Sequence, residues 1–332
     1  MKAVVVSAPR TLSVETVPDP EPTPEQLVLR VGACGICGSD LHAHQMGILP
    51  VGSVMGHEFA GEVVESRHGW KAGDRACALP ALSCGRCDRC LTGLGVFCLH
   101  GMKGLGLGQA QGAYAEYVAV SPHHLVRLPE GVETRLGALV EPLAVGLHAA
   151  NVARLRAGEN VLVMGAGPIG LSTLLWARHF GARSVIVSEK SPGRRAMAER
   201  FGASAAVDPG DLLSATQRVA PGGIDVVFEA VGVPGLIAQA INSVKFRGRV
   251  VVVGVCMQPD QIFPFFAITK EASLHFVLAY EKPDFQYAVD MLDQGRIEPR
   301  GMITDEIALE AVGGAFVALE TPTTQSKVLV VP

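Results

Sequence analysis

Cys84, Cys87 and Cys90 stand at three-residue steps, and Cys98 follows after seven intervening residues. Thiolates so spaced let a tight turn point several sulfurs inward while a short loop supplies the fourth, which is the pattern of a closed, tetrahedral structural zinc. A four-iron, four-sulfur cluster is the nearest rival, because bacterial ferredoxins begin with the same Cys-x-x-Cys-x-x-Cys run. There the fourth cysteine comes after three residues and precedes proline; here Leu99 follows Cys98. Unpaired surface thiols are the blandest alternative. Two separated pieces, Cys37 and the pair His57-Glu58, have the residue types of a second metal site of another kind. Closed sites fold protein, and open ones do chemistry.

A different chemistry is carried by Gly165-Ala166-Gly167-Pro168-Ile169-Gly170, which follows the apolar run Val161 to Met164 and opens a helical pattern. In that context the first glycine makes a tight turn, the second lets backbone approach a pyrophosphate, and the third lets helix and strand pack closely. The helix N-terminus then faces the anion. Glu189 ends the next strand, about where an acidic residue meets the adenosine ribose hydroxyls of NAD. Arg194 and Arg195 stand nearby and favour the 2′-phosphate of NADP instead. NAD is the expected cofactor and NADP the alternative, with Gly165, Gly167, Pro168, Ile169, Gly170, Glu189 and Arg194 as the binding residues.

These groups need two kinds of scaffold. From Met1 to about Val140, short β-rich runs at Ala3 to Val6, Gln26 to Val31, Gly61 to Glu65 and Tyr114 to Val120 are punctuated by Gly, Pro and Asp. This half reads as an all-β-like body whose loops carry the metal-ligand candidates. From about Asn160, strands alternate with helices: Asn160 to Met164, Pro168 to Phe180, Ser184 to Ser188, Pro192 to Phe201, Ile224 to Phe228, Leu236 to Ser243 and Arg249 to Val253. Such alternation means a parallel, doubly wound sheet. A helix over Phe285 to Leu292 and a final strand Lys327 to Val331 return to the first body, because an isolated strand needs a sheet to join. The limits read as 1–145, 146–284 and 285–332.

The chain's 332 residues exceed what one ordinary core supports, in keeping with two domains. A net charge of −4 from 28 basic and 32 acidic residues, without a basic run, excludes an electrostatic footprint for nucleic acid. No signal-peptide core or long uncharged apolar stretch occurs, so an intracellular protein with no membrane partner is expected in the cytoplasm. Cys34, Cys77 and Cys256 are scattered as reduced core thiols are.

With Gly35-Ile36-Cys37-Gly38-Ser39-Asp40-Leu41-His42, Gly56-His57-Glu58-Phe59-Ala60-Gly61-Glu62, Gly73-Asp74-Arg75, the four-cysteine lobe and the glycine fingerprint in this order, nearly the whole chain resembles the zinc-dependent medium-chain dehydrogenases. Val140-Glu141-Pro142-Leu143-Ala144-Val145, read as a Glu-Pro turn, is similar to the polyol, butanediol and threonine dehydrogenase branch; ethanol dehydrogenases present a cysteine where Glu141 falls. The resemblance implies an α/β architecture: a GroES-like β-rich catalytic domain with both zincs, a Rossmann domain, and an active-site cleft between them. It implies a catalytic zinc on Cys37, His57 and a carboxylate. Glu141 is favoured as third ligand or as hydrogen-bond partner of water at the metal, with Glu58 an alternate ligand or orienting group. Ser39 would stand first in a proton relay, with the ribose hydroxyls and His42 further out.

The expected reaction is reversible oxidation of a secondary alcohol, diol or polyol to a ketone by hydride transfer to NAD, with two zincs per chain. A zinc-free reductase of enones or quinones shares the fold, and a non-catalytic NAD-binding zinc protein is a second alternative. Phe263, Phe265 and Phe266 would give an apolar wall to a substrate site, or else serve as core or subunit contact. The strand Arg249 to Val253 is expected to pair edges between subunits in a homodimer or homotetramer.

Overall fold

The strand Leu27–Gly35 alternates buried and more exposed side chains along most of its length, as a strand with one face in a core must. One edge pairs antiparallel with Glu58–Val63, and the other is shared by Tyr117–Val120 and Lys327–Val330. In the computed structural model, which describes residues 1–321 and 324–332, this strand lies within a sheet of order Ile303–Ile307, Lys327–Val330, Leu27–Gly35, Glu58–Val63, Arg75–Ala78 and Leu125–Arg127. Segments Met1–Glu141 and Glu281–Pro332 form this first unit. Its core gathers Val4, Leu29, Met55, Phe59, Tyr114 and Phe316.

Within this β body sits a helix that the hydrophobic pattern hides, Gly38–Met46. Only Asp40 and Ala43 of its residues are buried, so no apolar stripe marks it. End signals hold it instead. Cys37 is the N-cap, Asp40 in the first turn accepts the Cys37 backbone N–H at 3.1 Å, and Gly47 closes the helix with φ 65°. The segment read as a Glu-Pro turn also proves helical: Glu141 and Pro142 open the helix Val140–Val152. Proline is tolerated there because first-turn N–H groups have no partner within the helix.

The second unit, Pro142–Tyr280, holds a six-stranded parallel sheet. Its order is Ala205–Val207, Ser184–Ser188, Asn160–Met164, Ile224–Glu229, Val244–Val252 and Ser273–Phe276. The order runs outward both ways from Asn160–Met164, whose five residues are all buried, as in a sheet covered on both faces. The strand expected to pair between subunits is an interior one. Val244–Val252 has Ile224–Glu229 on one side and Ser273–Phe276 on the other, so its hydrogen bonds are already used. The edge on that side is Ser273–Phe276, and Ala205–Val207 forms the other. Cys34 and Cys77 are buried as expected, whereas Cys256 is not. Among the described residues, no helix is long and apolar enough to cross a membrane.

Candidate active site

Cys37 ends the loop after the central strand, and His57 and Glu58 stand at the start of the neighbouring one. The antiparallel register, with Gly35 opposite Glu58, brings residues distant in sequence to one place. The ligand atoms of Cys37, His57 and Glu58 all lie within 4.8 Å of one another. Ser39 joins them: its hydroxyl donates to Cys37 Sγ at 3.3 Å and lies 3.4 Å from His57 Nε2. His42 is on the exposed side of the same helix. Glu141 is buried but lies outside this group of ligand atoms.

Three neighbours hold the site together, none assigned a role from the sequence. Asp40 Oδ1 stands 3.2 Å from His57 Nδ1, while Asp40 Oδ2 accepts from the Cys37 N–H and, at 2.7 Å, from the Tyr114 hydroxyl. Burial opposes charge on His57, but Asp40 and Cys37 outweigh it and hold the imidazole's pKa well above its ordinary value. Lys327 is the third neighbour and pairs with Glu58. The one signal for Asp40 is its place three residues after Cys37, where an acidic residue closes a helix start. Lys327 and Tyr114 reach the site only through strand pairing and core packing, which short-range patterns do not show.

The four remaining ligand candidates converge separately. Sγ–Sγ distances are 3.4 Å for Cys87–Cys90, 3.8 Å for Cys84–Cys90 and 4.0 Å for Cys87–Cys98. Zn–S bonds of about 2.3 Å in a tetrahedron give edges of about 3.8 Å, so the cluster fits zinc. All eight cysteines are free. Backbone N–H groups of Leu99 and Cys90 lower the Cys87 pKa, those of Arg86 and Cys87 lower that of Cys84, and burial raises that of Cys90.

In the second unit the strand Asn160–Met164 runs through Gly165 into the helix Pro168–His179, with Gly167 as N-cap and proline at its start. A Cβ on Gly170 would collide with the Gly165 carbonyl, whereas one on Gly167 would meet only Arg194 Nη1, at 4.0 Å. The turn therefore presents open backbone beside a guanidinium, which fits a pyrophosphate. Glu189 Oε2 accepts the Ala166 N–H and Oε1 the Ser191 N–H, each at 2.8 Å. An ionised carboxylate has about four acceptor sites, so two remain for ribose hydroxyls. Arg194 has its pKa lowered by burial, against the opposing effect of Glu189.

Residues 23–130 match the alcohol dehydrogenase GroES-like domain, and residues 168–294 match the zinc-binding dehydrogenase domain. The chain is 33 % identical to (R,R)-butanediol dehydrogenase of Bacillus subtilis (strain 168), with 100 % of both chains covered. It is 30 % identical to sorbitol dehydrogenase of the same organism, covering 100 % of this chain and 97 % of that one. A solved structure from Sinorhizobium meliloti 1021, named as a zinc-binding dehydrogenase bound to NADP, is 34 % identical with a TM-score of 0.90, covering 100 % of this chain and 99 % of that one. The chain belongs to the zinc-binding dehydrogenase family, with a GroES-like domain and a Rossmann domain. It is an oxidoreductase of the zinc-dependent alcohol dehydrogenase type that uses zinc and a nicotinamide dinucleotide.

Proposed function

We propose that this enzyme reversibly oxidises a secondary alcohol, diol or polyol to a ketone, using NAD and a zinc held by Cys37, His57 and Glu58, with a second, structural zinc on Cys84, Cys87, Cys90 and Cys98. The observation that carries this reading is the convergence of the Cys37, His57 and Glu58 ligand atoms within 4.8 Å. Three protein ligands leave one tetrahedral position open, as catalytic zinc requires. A zinc held there would supply Lewis acidity toward an alcohol oxygen, and a bound nicotinamide would supply the hydride acceptor. Ser39, beside both Cys37 and His57, takes the substrate hydroxyl proton as it passes its own hydroxyl proton outward by way of the ribose hydroxyls. His42, three residues further along the same helix and exposed, carries it to solvent. Glu141 acts as a nearby carboxylate rather than as a ligand, because it lies outside the group of ligand atoms.

The activities named for the two Bacillus relatives, on butanediol and on sorbitol, support a substrate with more than one hydroxyl. A zinc-free enone or quinone reductase would have no use for Cys37, His57 and Glu58 together. NAD is favoured by Glu189, whose charge repels a 2′-phosphate at short range, although Arg194 opposes it. A homodimer or homotetramer is supported by the edge strand Ser273–Phe276, where Phe276 is 69 % exposed, and by Phe263 and Phe265, exposed at 64 % and 59 %. Free thiols at both metal sites suit a reducing cytoplasm. Metal analysis of the purified chain, with diol-dependent reduction of NAD, tests the reading. Two zincs and turnover are expected; one zinc without turnover would point to a non-catalytic protein.

A further inference from the structure

Two strands deliver opposite charges to the same buried place. Glu58 begins Glu58–Val63 and Lys327 begins Lys327–Val330, and both strands pair with Leu27–Gly35 at its end: Gly35 is opposite Glu58 on one edge and Leu329 on the other. Lys327 Nζ donates to Glu58 Oε2 at 2.5 Å and to the Ile36 carbonyl at 2.9 Å, and each side chain is only 1 % exposed. A Cβ on Gly35 would strike Glu58 Oε2 and stand 3.0 Å from Lys327 Cδ. The pair therefore meets because the middle strand has no side chain at that point. Glu58 Oε1 is left buried without a hydrogen-bond partner. Such an atom is costly unless something else coordinates it.

We propose that Lys327, admitted by Gly35, is a positioning residue that grips Glu58 by Oε2 and so leaves Oε1 as a single-oxygen metal ligand beside Cys37 and His57. This rests on the reading of those three residues as a zinc site. A carboxylate without the grip presents either oxygen or both; held at one, it presents the other in one orientation. The lysine also keeps a positive charge beside a buried carboxylate when no metal is bound, so the site stays assembled between metal-binding events.

The test uses the full chain loaded with zinc, and with cobalt in parallel samples. Zinc release to EDTA is followed for the parent, Lys327→Met, Glu58→Gln and the double variant. Lys327→Met is expected to lose one zinc about 10–100-fold faster than the parent while keeping the four-cysteine zinc, and to shift the visible absorption of the cobalt form. Because Lys327→Met leaves a buried carboxylate without its cation, the comparison is repeated between Glu58→Gln and Glu58→Gln/Lys327→Met, where no charge is stranded. There the two affinities for zinc at this site, measured by competition with a chromogenic chelator, should agree within about twofold. Parent-like release and cobalt absorption in Lys327→Met, or a large effect of removing the lysine in the Glu58→Gln background, would overturn the positioning role. A parent chain that binds only the four-cysteine zinc would overturn the metal reading beneath it.

Discussion

Asp40 Oδ1 lies 3.2 Å from His57 Nδ1, and neither side chain has more than slight exposure. A carboxylate on one ring nitrogen fixes the tautomer and rotation of the imidazole, leaving Nε2 for a metal. Asp40→Ala should weaken zinc binding at this site by about 10–100-fold. Competition with a chromogenic chelator measures it, and parent-like affinity would show that His57 needs no such support.

The two carboxylates considered for the third ligand position can be separated. Glu58 belongs to the cluster of ligand atoms and Glu141 does not. Glu58→Ala is expected to leave one zinc per chain, whereas Glu141→Ala should keep two and lower turnover by about tenfold or more, within the usual range for one acid–base group. Metal analysis of both variants decides, and the reverse pattern would make Glu141 the ligand.

The four-cysteine lobe should behave as a structural element. Its thiols are spaced for a closed tetrahedron, and a closed site contributes folding energy directly. Cys87→Ser or Cys98→Ser should lower the Tm and release one zinc, with activity per folded molecule retained. A variant that melts like the parent yet has lost catalysis would contradict this.

The proposed preference for NAD turns on Glu189, which accepts the Ala166 and Ser191 N–H groups beside the glycine turn. Preference for NAD over NADP should reach at least about tenfold in kcat/KM, roughly 1.4 kcal/mol, and Glu189→Ala should narrow it. The same change removes the acceptor of the Ala166 and Ser191 N–H groups. Affinity for both coenzymes should therefore fall somewhat as the glycine turn loosens. A preference for NADP in the unmodified enzyme would give the decision to Arg194.

His124 supplies a pH dependence outside the metal ligands. Its Nε2 accepts the Ser83 N–H at 2.9 Å, and burial, with His123 and Lys282 nearby, lowers its pKa from 6.5 to about 4. As pH falls, the unfolded chain takes up this proton before the folded one does. The stability involved is present above pH 6.5 and is lost as pH falls through 4, up to about 3 kcal/mol. Melting of the parent and His124→Gln across that window should show a steeper loss in the parent; parallel curves would remove His124 as the cause.

The four inner strands of the second unit's sheet were legible from the sequence because buried parallel strands are continuous apolar runs, as in Val161 to Met164, whereas the short outer strands Ala205–Val207 and Ser273–Phe276, without a fully buried residue, were not. Both groups of candidate metal ligands were legible by residue type, since few other arrangements use Cys and His so spaced. The helix Gly38–Met46 was not, because its ends rather than a stripe define it. Asp40, Tyr114 and Lys327 escaped for a related reason. Each acts through contacts to residues distant in sequence, and a lone buried Lys or Tyr has no short-range signature. The interior position of Val244–Val252 was equally hidden, since the following strand Ser273–Phe276 is short and largely unburied.

Cys37, His57 and Glu58 are proposed to form an open zinc site that performs alcohol oxidation. The most direct test of this is diol-dependent NAD reduction by the zinc-loaded chain and by Cys37→Ala, with zinc content and NAD binding measured on the same samples. The expected result is turnover with two zincs in the parent, and in Cys37→Ala one zinc, intact NAD binding and turnover lower by at least about a hundredfold. Turnover near the parent rate in a Cys37→Ala sample holding only the four-cysteine zinc would contradict it.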